Sequence, residues 1–151
     1  MAKRKRSKYG VDITAKGRAK RTYNGITYDS LLELQFLKEY IEPRITSGEI
    51  KSYKRQISYT LVDGFTNCFG NRVQPVKYKS DFDVSYATGE TIIYDVKGKP
   101  DATSLIKRKL FWSRYPDKKL VFICRSVRDG GWLPYDELKK IRAERKKKND
   151  L

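Results

Sequence analysis

Residues 76–86 alternate Val76, Tyr78, Phe82, Val84 and Tyr86 with Lys77, Lys79, Asp81, Asp83 and Ser85, the period of a strand with one buried face. This pattern constrains the fold more than any other, because it decides which side chains meet the core. A second run, Thr91 to Gly98, follows across Ala87-Thr88-Gly89-Glu90, a turn short enough for an antiparallel hairpin. Within it Asp95 and Lys97 share a face, since strand side chains two apart point the same way. Pairing of the two runs predicts that Asp81, Asp83, Asp95 and Lys97 converge on one patch. Carboxylates beside a lysine, in a basic chain, point to metal-dependent phosphodiester chemistry.

The rest of the composition narrows the alternatives. A chain of 151 residues is one domain with room for a sound core, and a hydrophobic fraction of 38% argues against disorder over most of it. No apolar run approaches a membrane span, and the basic start leads into no hydrophobic stretch, so neither a membrane partner nor a secretory signal is expected. Cys68 and Cys124 have no CxxC spacing, and there is no histidine. A zinc site is therefore not expected, and two reduced thiols fit an intracellular, cytoplasmic protein. Without histidine, the serine and cysteine triads and the histidine-metal nucleases fall away. Hydrolysis would have to rest on carboxylates, lysine and a hard cation such as Mg²⁺.

Of the net charge of +16, residues 1–21 carry +8 and residues 138–151 carry +5. A nearly balanced body with basic arms is the footprint of a phosphate-backbone binder, so DNA or RNA is the expected partner. Solubility, or an acidic protein partner, is the plainer explanation of such arms.

Residues 1–20 form a basic arm, expected to be mobile until it meets a ligand. Asn24-Gly25 predicts a small hairpin over 21–28, and a helix is expected from Ser30 to Glu42, closed by Pro43. A strand follows over Tyr53–Val62, then an irregular excursion over Asp63–Pro75. After the acidic hairpin come a helix capped by Asp101 and stopped at Pro116, a buried strand over Lys119–Arg125, a turn at Asp129-Gly130-Gly131, and a helix from Pro134 into a basic tail at 138–151. The fold class is mixed α/β, with the folded body over 21–137.

Glu33 adds a third carboxylate. At about 100° per residue it falls between Tyr40 and Leu37, on the apolar side of the first helix. A carboxylate there needs a cation, a hydrogen bond or a metal. Ser30-Leu31-Leu32-Glu33 also has capping-box spacing, which would simply return Glu33 to the Ser30 N–H. Asp81 and Asp83 could likewise be the solvated face of an edge strand. Against that, Ile92, Ile93 and Tyr94 before Asp95 suggest a buried strand, where an unpaired Asp is costly.

Asp81, followed fourteen residues later by Asp95-Val96-Lys97, resembles the PD-(D/E)XK nuclease signature, and Glu33 resembles the additional acid of many of its members. More closely, the chain is similar to a family of small phage-encoded proteins of that superfamily. The similar segments are Tyr28–Glu33, Gly48–Ile50, Tyr78–Phe82, Tyr94–Gly98 and Leu105–Phe111. Ser80 stands where the signature has Pro, and Asp83 has no fixed counterpart, which ranks it below Asp81. The resemblance implies a restriction-endonuclease-like αβββαβ core and a Mg²⁺- or Mn²⁺-dependent DNA endonuclease. Such an enzyme would act on branched DNA such as a Holliday junction, in phage recombination, replication or packaging within the host cytoplasm. It implies that Glu33, Asp81 and Asp95, with the Val96 carbonyl, hold metal, and that Lys97 serves the attacking water or the phosphate. Lys107 and Lys109, and more weakly Gln56 and Lys79, become candidates for gripping the backbone, although Lys107 and Lys109 fit a solvated helix face as well. A homodimer would suit cleavage of two strands. The rival is a DNA- or RNA-binding protein that keeps the fold without the chemistry.

Overall fold

The computed structural model describes residues 10–151; residues 1–9 of the anticipated basic arm lie outside the described residues. The rest of the arm carries a short helix, α1 (Ala15–Lys20), begun by Thr14, whose hydroxyl accepts from the Gly17 N–H. The Asn-Gly hairpin forms as expected from β1 (Thr22–Tyr23) and β2 (Ile26–Thr27). Asn24 (φ +50°) and Gly25 (φ +79°) both take the left-handed geometry that a tight two-residue turn requires.

The first long helix begins at the predicted cap, with Ser30 Oγ accepting from the Glu33 N–H at 3.1 Å. Its end is not where Pro43 suggested. α2 (Leu31–Phe36) passes through a π-helical turn, Leu37–Ile41, into α3 (Glu42–Ser47). The wider turn resets the ladder, so that Glu42 N–H bonds to the Leu37 carbonyl and Pro43 falls in a new first turn, where a missing N–H costs nothing. The helix stops instead at Gly48, φ +85°.

The strand expected over Tyr53–Val62 is two strands, β3 (Ile50–Arg55) and β4 (Ser58–Val62). The excursion that follows holds a further hairpin, β5 (Phe65–Thr66) and β6 (Arg72–Val73). The alternating run at 76–86 divides in the same way into β7 (Val76–Lys79) and β8 (Phe82–Tyr86). The two breaks face each other. Gln56 takes φ +52°, its N–H reaching the Asp81 carbonyl at 3.3 Å. Ser80 N–H bonds to the Ile57 carbonyl at 2.9 Å, and Ser80 Oγ accepts from the Ile57 N–H at 3.2 Å. The paired strands therefore leave the main sheet together as a β4–β7 ribbon.

β9 (Thr91–Val96) pairs antiparallel with β8 as predicted, Phe82 opposite Tyr94. α4 (Ala102–Arg114) starts at Asp101, whose Oδ1 accepts from the Ser104 N–H at 2.7 Å. β10 (Lys119–Ser126) then lies parallel to β9, and β11 (Gly131–Pro134), not foreseen beyond the Gly130-Gly131 turn, closes the edge. The five-stranded mixed sheet runs β11-β10-β9-β8-β3. α5 (Tyr135–Asn149) is held to the body by buried Leu138 and carries the basic C-terminal residues.

Helices cover both faces of the sheet, and the alternation along β9 allots its residues between them. Tyr94 and Val96 join Phe36, Leu37, Ile41, Phe82 and Val84 under α2–α3, while Ile93 joins Phe111, Leu120, Phe122 and Tyr78 under α4. Asp95 belongs by parity to the α4 face, among apolar neighbours.

A candidate functional site at the bend

Where β9 ends and the ribbon departs, an open cleft of about 810 Å³ is lined by residues from five separate parts of the chain, Val11 of the N-terminal arm among them. α2 contributes Glu33 beside Asp29 and Ser30; the bend contributes Lys79 and Asp81; the end of β9 contributes Asp95, Val96 and Lys97; and the start of α4 contributes Asp101 and Ser104.

Asp95 is buried, and each of its oxygens has a partner. Oδ2 accepts from the Tyr78 hydroxyl at 2.8 Å, and Oδ1 meets the Lys97 ammonium at 3.2 Å. Those contacts offset the cost of placing a carboxylate in the core. The Lys97 ammonium also lies 5.3 Å from the centre of the Phe122 ring, a cation–π contact in the wall of the cleft that Lys97 lines. Asp81 follows the bend rather than sitting in a strand. Its Oδ2 accepts from the Val96 N–H at 2.7 Å, which ties it to the end of β9.

Asp81 lies close enough to Glu33 and Asp95 for their charges to act on it. Burial, aided by the Asp29 charge, raises the Glu33 carboxyl to about 7. Burial also raises Asp81 well above the usual carboxylate range, and the charges of Asp95 and Glu33 add to the effect. Tyr78 is pushed up by burial and then by Asp95, so it remains a neutral hydrogen-bond donor. Glu33 and Asp81, both held back from ionising, make together with Asp95 an oxygen donor set suited to a hard divalent cation, whose charge would favour their ionised forms. As they stand, engaged by Tyr78, Lys97 and the Val96 N–H, they do not form a ready cage: among the described residues no group of three or more Asp, Glu, Cys or His is gathered in ligating geometry.

Glu33, Asp81, Asp95, Val96, Lys97 and Lys79 thus line one cleft. Glu33 is directed there, while only the Ser30 half of the capping box forms. Asp83 does not join them. Its carboxylate accepts from the Ser80 hydroxyl at 2.6 Å and from the Tyr59 hydroxyl, so it braces the bend and the expected four-residue patch loses one member. Lys107 donates to the Lys77 carbonyl at 3.2 Å, outside the cleft, and Lys109 is exposed on α4. Gln56 does not line the cleft; its amide donates to Asp29, which does, at 2.9 Å. Sequence inspection missed Tyr78 as a support for Asp95, although a tyrosine on the buried side of an alternating strand signals a hydroxyl in need of a partner. Asp29, Lys99, Asp101 and Ser104 carried no comparable signal.

Neither a curated protein nor a solved structure matches the chain. Residues 6–131, which include every cleft residue named above, match the family described as "Protein of unknown function (DUF1064)", and the chain belongs to that family.

Proposed function

We propose that the chain is a metal-dependent DNA endonuclease with a restriction-endonuclease-like core, acting on branched DNA. The observation that carries this reading is the gathering of Glu33, Asp81 and Asp95 with Lys97 in one open cleft of a protein whose net charge is +16. An acidic floor within a cationic molecule suits a phosphodiester that is drawn in by the basic surface and shielded from the carboxylates by a cation. Glu33, Asp81 and Asp95, with the Val96 carbonyl, would hold Mg²⁺ or Mn²⁺. When bound, the ion supplies Lewis-acid stabilisation of the phosphate and a more acidic water.

The protein's own groups have distinct tasks. Lys97 presents a positive charge at the cleft surface, where it can neutralise a phosphate oxygen or take part in proton transfer. Asp95 keeps the Lys97 head in place, and the Tyr78 hydroxyl fixes the Asp95 carboxylate in turn. Lys79, exposed at the cleft edge, is placed to meet the DNA backbone.

Incubation of labelled four-way, forked and linear DNA with Mg²⁺ or Mn²⁺ tests the reading. Wild type is expected to cut the branched substrates. Asp95→Ala and Lys97→Ala are each expected to lower the rate by roughly 10²-fold or more while leaving binding in chelator intact. If wild type leaves every DNA whole but still binds it, the chain is a non-catalytic nucleic-acid binder.

A further inference from the structure

Four of the six phenylalanines, Phe36, Phe82, Phe111 and Phe122, are at most 2% exposed. The other two, Phe65 at 47% and Phe69 at 84%, both belong to the β5–β6 hairpin. A loose loop could fold over such a ring, but this turn is held. Asn67 Oδ1 accepts from the N–H groups of Phe69 and Asn71, each at 3.0 Å. Asn67 N–H bonds to the Asn71 carbonyl at 2.9 Å, and Gly70 N–H to the Asn67 carbonyl at 3.0 Å. Gly70 supplies φ +80°. The turn engages its polar groups with one another and presents Phe69 outward.

The hairpin stands at a definite place relative to the cleft. Ser104, near the start of α4, lines the cleft, and Arg114, at the end of α4, pairs with Asp63 at the hairpin base at 3.0 Å. The intervening helix spans about 15 Å at 1.5 Å per residue. From the cleft to the hairpin base that equals roughly four or five base steps of duplex. The surface between is basic. Lys79 lines the cleft, and Lys77 follows on the same exposed face of β7. Neither is paired with a carboxylate among the described residues. Lys107 joins them through its bond to the Lys77 carbonyl.

We propose that Phe69 is a stacking wedge: a strand with its scissile phosphate in the cleft passes over Lys79 and Lys77, and Phe69 stacks on a base left unpaired at a branch or fork. This rests on the nuclease reading and deepens it by naming the substrate class, DNA with an unpaired base set several steps back from the cut. A benzyl ring offers no hydrogen bonds, so it recognises any exposed base face and selects structure over sequence. In continuous duplex those faces are covered by neighbouring bases.

Binding measured by fluorescence anisotropy in EDTA, on forked DNA and on a duplex of equal length, tests the wedge without cleavage. Wild type is expected to favour the fork. Phe69→Ala is expected to lose about 5- to 50-fold on the fork and less than about twofold on the duplex, and Phe69→Trp to retain the preference. 2-Aminopurine at the unpaired position should be quenched by wild type and Phe69→Trp but not by Phe69→Ala. Equal losses on both DNAs, no loss on either, or no fork preference in wild type overturns the wedge. So does a Phe69→Ala protein whose only change is its own sedimentation, which would assign the tip to contact between copies. Cleavage with a fork preference indifferent to Phe69 sinks the wedge and spares the nuclease. A Phe69-dependent preference in a protein that cuts nothing does the reverse.

Discussion

Glu33 brings a third carboxyl group to the cleft that Asp81 and Asp95 line, at the cost of its own ionisation. Burial raises it to about 7 from an ordinary value of 4.5. An acid raised in the folded state binds its proton more tightly there than in the unfolded chain. Stability from this group is therefore whole below about pH 4.5 and is lost as pH rises through about 7, with a full penalty of about 3 kcal/mol. Asp81, also raised, acts in the same direction. Urea unfolding in EDTA should thus show wild type weakening between pH 5 and 8. Glu33→Gln, neutral throughout, should flatten that slope by close to one proton and be the more stable protein at pH 8. A Glu33→Gln variant that follows the wild-type slope would mean that the folded protein ionises this carboxyl freely.

At the scale of elements, the bend between sheet and ribbon sets the site. Ser80 is fully buried and couples three segments: its N–H and Oγ pair with Ile57, and its hydroxyl donates to Asp83 at 2.6 Å. Asp81 comes next and turns toward Val96. Ser80→Ala leaves the part-buried Ile57 N–H without its acceptor and takes one of two hydroxyl donors from Asp83, so a loss of about 1–3 kcal/mol is expected in urea melts. Slower cleavage should accompany it, because the bend that carries Asp81 loosens and only the Val96 N–H still fixes its carboxylate. A melt within about 0.5 kcal/mol of wild type would show that the backbone bonds alone hold the bend. The π-helical turn at Leu37–Ile41 is the second decisive local feature, since it lets the helix continue through Pro43 to Gly48.

The whole molecule is a mixed α/β body with its basic charge unevenly spread. Lys146, Lys147 and Lys148 form the exposed last turn of α5, which Leu138 anchors to the body. Replacing the three with alanine should weaken binding on all DNAs alike. It should also shallow the dependence of log affinity on log salt by up to about three, near 0.9 for each phosphate that is no longer neutralised. Anisotropy titrations across a salt series would check this. An unchanged slope would remove α5 from the DNA interface. No helix among the described residues is long and apolar enough to cross a membrane.

Several elements were legible from the chain because their causes are local. Asn24-Gly25 dictates a turn through backbone geometry, Asp101 caps its own helix, and the alternation around Phe82 and Val84 sorts core from surface by parity. The same parity put Asp95 beside Lys97, and helical periodicity put Glu33 on the inner face. What remained hidden depends on partners far along the chain. Val96 and Tyr59 determine where Asp81 and Asp83 point, and the Ser80–Ile57 pairing makes two strands of each apparent one. The sequence by itself thus determined the elements and the residue types that one side of each presents, since both follow from backbone sterics and short-range period. Only the tertiary structure decided that Glu33, Asp81, Asp95 and Lys97 meet while Asp83 turns away. That choice is made by long-range hydrogen bonds, which local preference does not encode.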